Sequence, residues 1–373
     1  MKSLMTGQTS YKALMQKYAG FQIPNVVIKV DGKSLSDAML DSLEELNVSL
    51  TCKSHEMNVA AITFSPLKHE AIEDYFTLGQ KIEIAVGYAK TEVVFTGYIY
   101  ESEFKISEEE GWLVTIVCKD LMGILENKQD DTHHVGGNHI KEIRKILEDS
   151  TYRQYGKLAA SQNKYLKELE NLYAPLDKMG DFIQTHTTMT HLEKIRWIAQ
   201  KHHYEFFVVG DEVYFRPSYS DSSSPIMTLS PNEGLMTLVV SQCIGKLIAS
   251  SEIRGQDEET FEPIAGKKKR SIHAKVTKNK AAAATVLHYD EEIRKESEAK
   301  EISSAILDQN SWEVKSAQGQ TIGIPELVPG RKVKIDGLGK GMNQVIYLRS
   351  VTHEISKSMG YHTYFEGGIK IDE

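Results

Sequence analysis

The sequence predicts an α+β protein that is mainly β, with two strand-rich modules on either side of a helical middle region. Three observations predict it. Apolar and polar side chains alternate through residues 23–125, which is the period of a strand with one buried face. The period becomes helical over 138–200, and the alternation returns from 226 to 373. A chain of 373 residues, at about 150 per domain, is expected to hold two or three domains.

The first module, residues 23–127, has enough predicted strands for a small barrel or sandwich. Residues 81–88 alternate charged and aliphatic side chains, and 93–100 are rich in β-branched and aromatic residues. The polar turn at 89–92 joins these two strands into a hairpin. Residues 1–22 form an arm that we expect to become ordered on binding a neighbouring protein. The other predicted elements are strands over 46–52, 59–64 and 112–118 and a helix over 66–76.

The middle region, residues 128–224, begins with helices. Asn138 is placed to cap a helix that has one apolar face. A second, charge-rich helix is predicted to end near Pro175. Thr190 and Glu193 have the spacing of a capping box, which predicts the start of a third helix.

The end of the middle region and the second module return to strands. Two short strands over 204–215 surround a Gly-Asp turn, and the Ser-rich run 218–224 is typical of a linker. The second module, residues 225–373, carries an inserted helix at about 290–307, and the basic run 266–270 predicts an exposed loop. Its predicted strands cover 237–240, 245–253, 272–276, 321–324, 332–335, 344–352 and 361–365.

Composition excludes several classes of function. The 44 Lys and Arg against 52 Asp and Glu give a net charge of −8, which argues against specific nucleic-acid binding. Cys52, Cys118 and Cys243 form no C-x-x-C pair, so we expect neither a disulfide framework nor a zinc ribbon. There is no long apolar run and no signal peptide, so we expect folding in a reducing cytosol without membrane insertion.

Histidines near the start of the middle region are the best candidates for a metal site. His133, His134 and His139 lie close to Asp130 and Asp131, and imidazole and carboxylate groups are usual zinc ligands. No H-E-x-x-H motif is present, and the spacing matches no known ligand set. We therefore predict a polar loop without a metal, and keep the three histidines as the alternative.

Other motifs that suggest chemistry have structural explanations. Gly337, Gly339 and Gly341 resemble a phosphate loop, but a strand follows at 345–348 where a phosphate cradle needs a helix. These glycines are therefore predicted to supply positive φ in a hairpin turn. The acidic run 108–110 is typical of a solvated turn, and no G-x-S-x-G nominates a nucleophile. We predict that the protein is not an enzyme and binds no cofactor.

Segments in all three parts of the chain follow an order that alternation alone does not explain. They are residues 78–88 and 94–99 in the first module, 192–199 and 204–208 in the middle region, and 324–335, 347–353 and 361–366 in the second module. In sequence and order, these segments resemble the phage late-control protein D and VgrG-like family.

The resemblance implies a baseplate hub of a contractile phage tail, a tailocin or a related injection system. Such a hub is a homotrimer whose subunits each carry two tail-tube-like β domains, and its ring adapts a sixfold tail tube to a threefold central spike. The implied partners are the tail tube or tube-initiator protein, the spike, and tape-measure and wedge proteins. Assembly would occur in the bacterial cytoplasm, and the product would be part of a released particle.

The hairpin turns at 89–92 and 336–343 are the predicted ring contacts. Two alternatives remain: a tail-tip protein of a non-contractile tail, and a tail-associated metal-dependent cell-wall hydrolase that uses the three histidines. The candidate interface and turn residues are Gly87, Tyr88, Lys90, Gly97, Pro329, Gly330, Gly337, Gly339 and Gly341.

Overall fold

The protein has the predicted α+β fold, mainly β, and most of its strands belong to one antiparallel sheet. The predicted helix at 66–76, apart from Phe76, and the turn at 108–110 lie outside the described residues. The computed structural model describes residues 4, 7–65, 76–107, 111–130, 133–135, 139–173, 183–185, 189–257, 260–272, 276–290, 293, 295–339 and 341–371.

The N-terminal arm packs against its own chain. Helix α1 (Tyr11–Lys17) begins at Ser10, whose side chain accepts a hydrogen bond from the Ala13 amide at 3.2 Å. Leu14 on this helix is almost completely buried, and Tyr18, which follows the helix, is completely buried. The expectation that the arm needs a neighbour to become ordered is therefore wrong, because its apolar side chains are already covered within the chain.

The first module is a run of antiparallel strands in which alternate side chains are buried, as in the pattern of β4. Strand β6 is the longest, and its second half continues past the end of β5. The elements are β1 (Asn25–Val30), β2 (Lys33–Ser34), α2 (Asp37–Asp41), β3 (Leu43–Thr51), β4 (Val59–Phe64), β5 (Lys81–Gly87), β6 (Thr91–Ser107), β7 (Gly111–Lys119) and α3 (Leu121–Glu126).

The middle region combines helices with short strands. The capping box is present: the Thr190 side chain accepts the Glu193 amide at 3.1 Å, and the Glu193 carboxylate accepts the Thr190 amide at 2.7 Å. The elements are β8 (Gln129–Asp130), β9 (His133–Val135), α4 (His139–Glu148), α5 (Ser150–Arg153), β10 (Lys157–Leu158), α6 (Asn163–Tyr173), β11 (Ile183–Thr185), β12 (Met189–Thr190), α7 (His191–Lys201), β13 (Tyr204–Val209) and β14 (Glu212–Pro217).

The Ser-rich run after β14 is packed against the second module. The Tyr219 ring stacks on Trp312 with 5.6 Å between centroids, and the buried side chains of Asp221 and Arg331 pair at 3.5 Å. The run therefore connects two parts of the chain without separating them.

The second module adds strands to the main sheet and contains a smaller layer in which α8 packs on β17 and β18, and β19 pairs with β17. The elements are β15 (Thr228–Leu229), β16 (Leu235–Gln242), β17 (Ile248–Gln256), β18 (Pro263–Lys269), β19 (Ala284–Tyr289), α8 (Glu296–Ser311), β20 (Lys315–Ile322), β21 (Lys332–Ile335), β22 (Val345–Ser356) and β23 (Gly360–Ile369).

Three expectations for the smaller layer are wrong. The basic run is part of strand β18, because Ile264 and Gly266 bury against α8 while Lys267 pairs with Glu252 across the strands at 2.7 Å. Strand β19 replaces the one predicted over 272–276: neither Ile272 nor Val276 is in a strand, and the residues between them lie outside the described ones. The helix begins and ends later than predicted.

The two modules share one sheet. Its strand order is β16-β20-β23-β22-β3-β4-β7-β6-β5-β1-β2, with β21 and β15 attached beside β22. The modules meet where β22 pairs antiparallel with β3, from Ser350 opposite Thr51 to Ser356 opposite Glu45. One apolar core continues from the arm through both modules and the middle region. The junction of β3 with β22 therefore positions every other part of the molecule.

Candidate interaction surfaces

A buried ionic cluster fixes the middle region to the junction of β3 and β22. Arg216 on β14 donates from Nε to Glu205 Oε1 at 2.7 Å and from Nη2 to both the Gly330 carbonyl at 2.6 Å and Tyr347 Oη at 2.9 Å. Tyr347 Oη also donates to Glu205. Arg216, Glu205 and Tyr347 are all buried, so the charges are held by each other and not by water.

The electrostatics of this cluster keep Arg216 charged. Burial acts to lower the pKa of Arg216, but Tyr347 and Glu205 offset it and the pKa lies above its ordinary value. The guanidinium also lies 5.3 Å from the centre of the Phe207 ring. Gly330 has φ +78°, and a Cβ there would lie 2.6 Å from Phe207 Cζ. Only glycine fits this position, because both its backbone angle and its space exclude a side chain.

A second buried link joins the first module to the middle region. Asn58 donates from Nδ2 to the Val208 carbonyl at 2.8 Å and accepts the Thr51 amide at 2.8 Å. Thr51 is the last residue of β3, so the amide side chain of Asn58 connects the end of this strand to β13.

The cavity beside Tyr347 and Arg349 measures only about 30 Å³, room for about one water molecule.

The arm joins the two modules through a further set of contacts. Tyr18 Oη donates to Glu326 at 2.6 Å, and Lys17 pairs with Glu326 at 2.9 Å and also with Glu92. The Tyr88 ring lies 5.7 Å from the rings of both Tyr18 and Tyr361. Tyr88 is consequently buried within the chain.

The structure divides the candidate interface residues into two groups. Gly87 and Gly97 are buried, and a Cβ on either would lie 2.2 Å from a backbone carbonyl, so their role in this chain is close packing. The buried group is Gly87, Tyr88, Gly97, Pro329 and Gly330, and the exposed group is Lys90, Gly337, Gly339 and Gly341.

The glycine-rich segment after β21 is a hairpin turn. Gly337 and Gly339 have φ of +80° and +88°, and β22 follows as a strand. The Gly337 amide donates to Asp336 at 2.9 Å and the Leu338 amide to Asn343 at 3.0 Å. These amides are used inside the turn, so they are not available to cradle a phosphate.

The predicted metal candidates are separated along the backbone. His133 and His134 lie on β9, which pairs with β11, and His139 is the first residue of α4. Their side chains lie outside what the structure describes, so the metal hypothesis stays a prediction. Within the described residues, no group of three or more His, Cys, Asp or Glu is arranged to hold a metal, and no helix is long and apolar enough to cross a membrane.

Two exposed strand edges were not identified from the sequence. Strand β16 pairs only with β20 among the described strands, and its Met236 and Val239 are 52% and 59% exposed. The second half of β6 carries exposed Phe104 and Ile106 beyond the end of β5. For β16, the signal in the sequence is the absence of charged residues from 235–242 in a chain with 26% charged residues.

Solved structures share this fold. The tail protein from Neisseria meningitidis MC58 matches with a TM-score of 0.65 and 12% identity, over 93% of this chain and 97% of that one. The 43 kDa tail protein of prophage MuSo2 from Shewanella oneidensis matches with a TM-score of 0.62 and 11% identity, over 92% and 98%. The E. coli c3393 protein, a component of the type VI secretion system, matches with a TM-score of 0.53 and 11% identity, over 93% and 77%.

These matches define the fold as that of phage tail proteins and of a type VI secretion component. The first two cover almost the whole of both chains, so the likeness includes both modules and the middle region. No protein-family model matches the chain, and the search of curated proteins finds no match.

Replacing Arg216 tests the ionic cluster. Arg216→Met leaves the Glu205 carboxylate buried without its cation, so we expect the free energy of unfolding to fall by about 3–5 kcal/mol. The control is Arg254→Met, which removes an exposed partner of Glu252 and is expected to cost less than about 1 kcal/mol. Urea titration measures both changes, and equal losses would contradict the role of the cluster.

Asp120 makes stability depend on pH. This carboxyl caps α3 by accepting the Met122 amide at 2.9 Å. Burial raises its pKa from 3.8 to about 7, although hydrogen bonds from Met122 and Asn58 and the charge of Arg196 oppose the rise. The folded state therefore binds this proton more tightly than the unfolded state. The contribution of Asp120 to the free energy of unfolding is therefore greatest below about pH 4 and falls as the pH rises to about 7.

The variant Asp120→Asn keeps the capping oxygen and removes the titration. We expect its advantage over the parent protein to grow between pH 4 and pH 8, by up to about 4 kcal/mol at about 1.4 kcal/mol per pKa unit. Urea unfolding of both proteins across this range measures the difference, in which other titrating groups cancel. Parallel stability profiles would show that Asp120 does not titrate in this range.

Proposed function

We propose that this protein is a structural baseplate hub of a contractile tail-like particle. In this role three copies form a ring that adapts the sixfold tail tube to the threefold central spike. The observation that carries the proposal is a tail-protein fold, over 93% of this chain in the first match, built as two modules in one continuous sheet. The order of the family-like segments along the chain supports the same role.

The geometry suits an adapter. The β3–β22 pairing gives each copy two modules at a fixed orientation, so three copies present six modules while keeping threefold symmetry. We propose a trimer with the tail tube or tube-initiator protein on one side and the spike on the other, and tape-measure and wedge proteins as further partners. We also propose that the arm, the first module and the middle region end at residues 22, 127 and 224.

We propose that the function is assembly and not catalysis. The buried polar groups of the junction, Arg216, Glu205 and Tyr347, are bound to each other and to backbone, so they serve structure. The particle is proposed to assemble in the bacterial cytoplasm and to be released with this protein as a component. The similar E. coli c3393 protein is a component of the type VI secretion system, which supports the proposal that this chain belongs to an injection apparatus.

Light scattering of the purified chain tests the proposal. We expect a mass of three times the 42.0 kDa chain, alone or after addition of the spike protein. A monomer under both conditions would contradict the hub. Peptidoglycan hydrolysis that is lost with a chelator would instead favour the metal-dependent hydrolase.

A further inference from the structure

Strand β16 is an edge whose one feature against pairing is the register shift at Met236 near its start. Its eight residues, LMTLVVSQ, include no charge and no proline. Natural edge strands are normally protected by lysines, by proline or by being very short. Two other edges in this protein follow that rule, since β18 carries Lys267, Lys268 and Lys269 and β2 has only two residues, whereas β19 is a second edge without charged residues. The exposed Met236 and Val239 make β16 an edge suited to pairing.

The second half of β6 offers a second exposed edge, in which Phe104 and Ile106 alternate with the charged residues Glu103 and Lys105. On the β5 side, the ladder ends at Tyr98 opposite Lys81, and Ile99 adds hydrogen bonds with Gly79 and Gln80. From residue 100 to 107, no described strand pairs with β6 on that side, while β7 pairs on the other. This distal half has the same number of residues as β16, and its Phe104 and Ile106 are 45% and 65% exposed.

We propose that β16 of one copy pairs with the distal half of β6, residues 100–107, of the next copy. The inference rests on the proposed function, because it names the contact that closes the ring. Each copy has one edge of each kind, so the contact is heterologous and repeats around a closed ring. Met236 and Val239 would lie near Phe104 and Ile106 and bury apolar surface that is exposed in the single chain.

The chain already contains one pairing of this type. Strand β3 belongs to the first module and β22 to the second, and they pair edge to edge within one copy. Pairing β16 with β6 again joins a second-module strand to a first-module strand, so the two kinds of module alternate around the ring. A symmetric pairing of β16 with β16 would instead stop at a dimer and leave the distal half of β6 uncovered.

Two lysine variants test the contact. One carries Met236→Lys and Val239→Lys, and the other carries Phe104→Lys and Ile106→Lys. All four side chains are at least 45% exposed, so each variant is expected to keep the melting temperature of the single chain. We expect each variant alone to have the mass of one chain, and an equal mixture to have the mass of two, because the mixture retains one intact pair of edges.

Leu287→Lys is the matched control, since Leu287 is 59% exposed on β19, another uncharged edge strand. It is expected to keep the parent mass. A trimer formed by either double-lysine variant, or a mixture that remains monomeric, would overturn the edge assignment. If the β16 variant is monomeric while the β6 variant still assembles, β16 pairs with β16 and not with β6. An unmodified chain that never assembles would overturn the proposed function itself.

Discussion

The antiparallel pairing of β3 with β22 is the constraint on which the rest of the structure depends. Val48 opposite His353 and Leu50 opposite Val351 are buried, and a slip of one residue would turn this whole set of side chains to the other face. The register of one pair of strands therefore fixes the orientation of two modules that are distant in sequence. The proposed hub would need this property, since a ring closes only when its units keep constant angles.

The buried polar contacts around the junction make that orientation unique. Arg216 on β14 binds Glu205 in the middle region and both Gly330 and Tyr347 in the second module. Asn58 links the first module to β13, the strand that pairs with β14. Apolar packing alone tolerates small shifts, whereas a buried charge without its partners costs several kcal/mol. The arm adds contacts of its own to both modules, through Glu92 in the first and Glu326 in the second. The three parts of the chain are thus held in one arrangement.

The sequence predicts individual elements well and their partners poorly. Alternation locates β4 and β21 because one face of each strand is buried, and the Thr190 capping box is visible as two residues at a fixed spacing. Periodicity identifies a buried face and not the strand beside it, so the β3–β22 pairing is not predictable from it. The lysines of β18 suggest a loop because its buried face holds only Ile264 and Gly266. The sequence makes Tyr88 a candidate turn or interface residue, but the arm, from a distant part of the sequence, buries its ring.

Hydrogen exchange of the full chain under native conditions tests the central claim, that the two modules form one cooperative unit through β3 and β22. We expect the amides of Leu46 and Val48 to open with the same free energy and denaturant dependence as those of Val351 and Ile355. Opening of the first-module strands at a clearly lower free energy, with β22 still protected, would show two independent domains and contradict it.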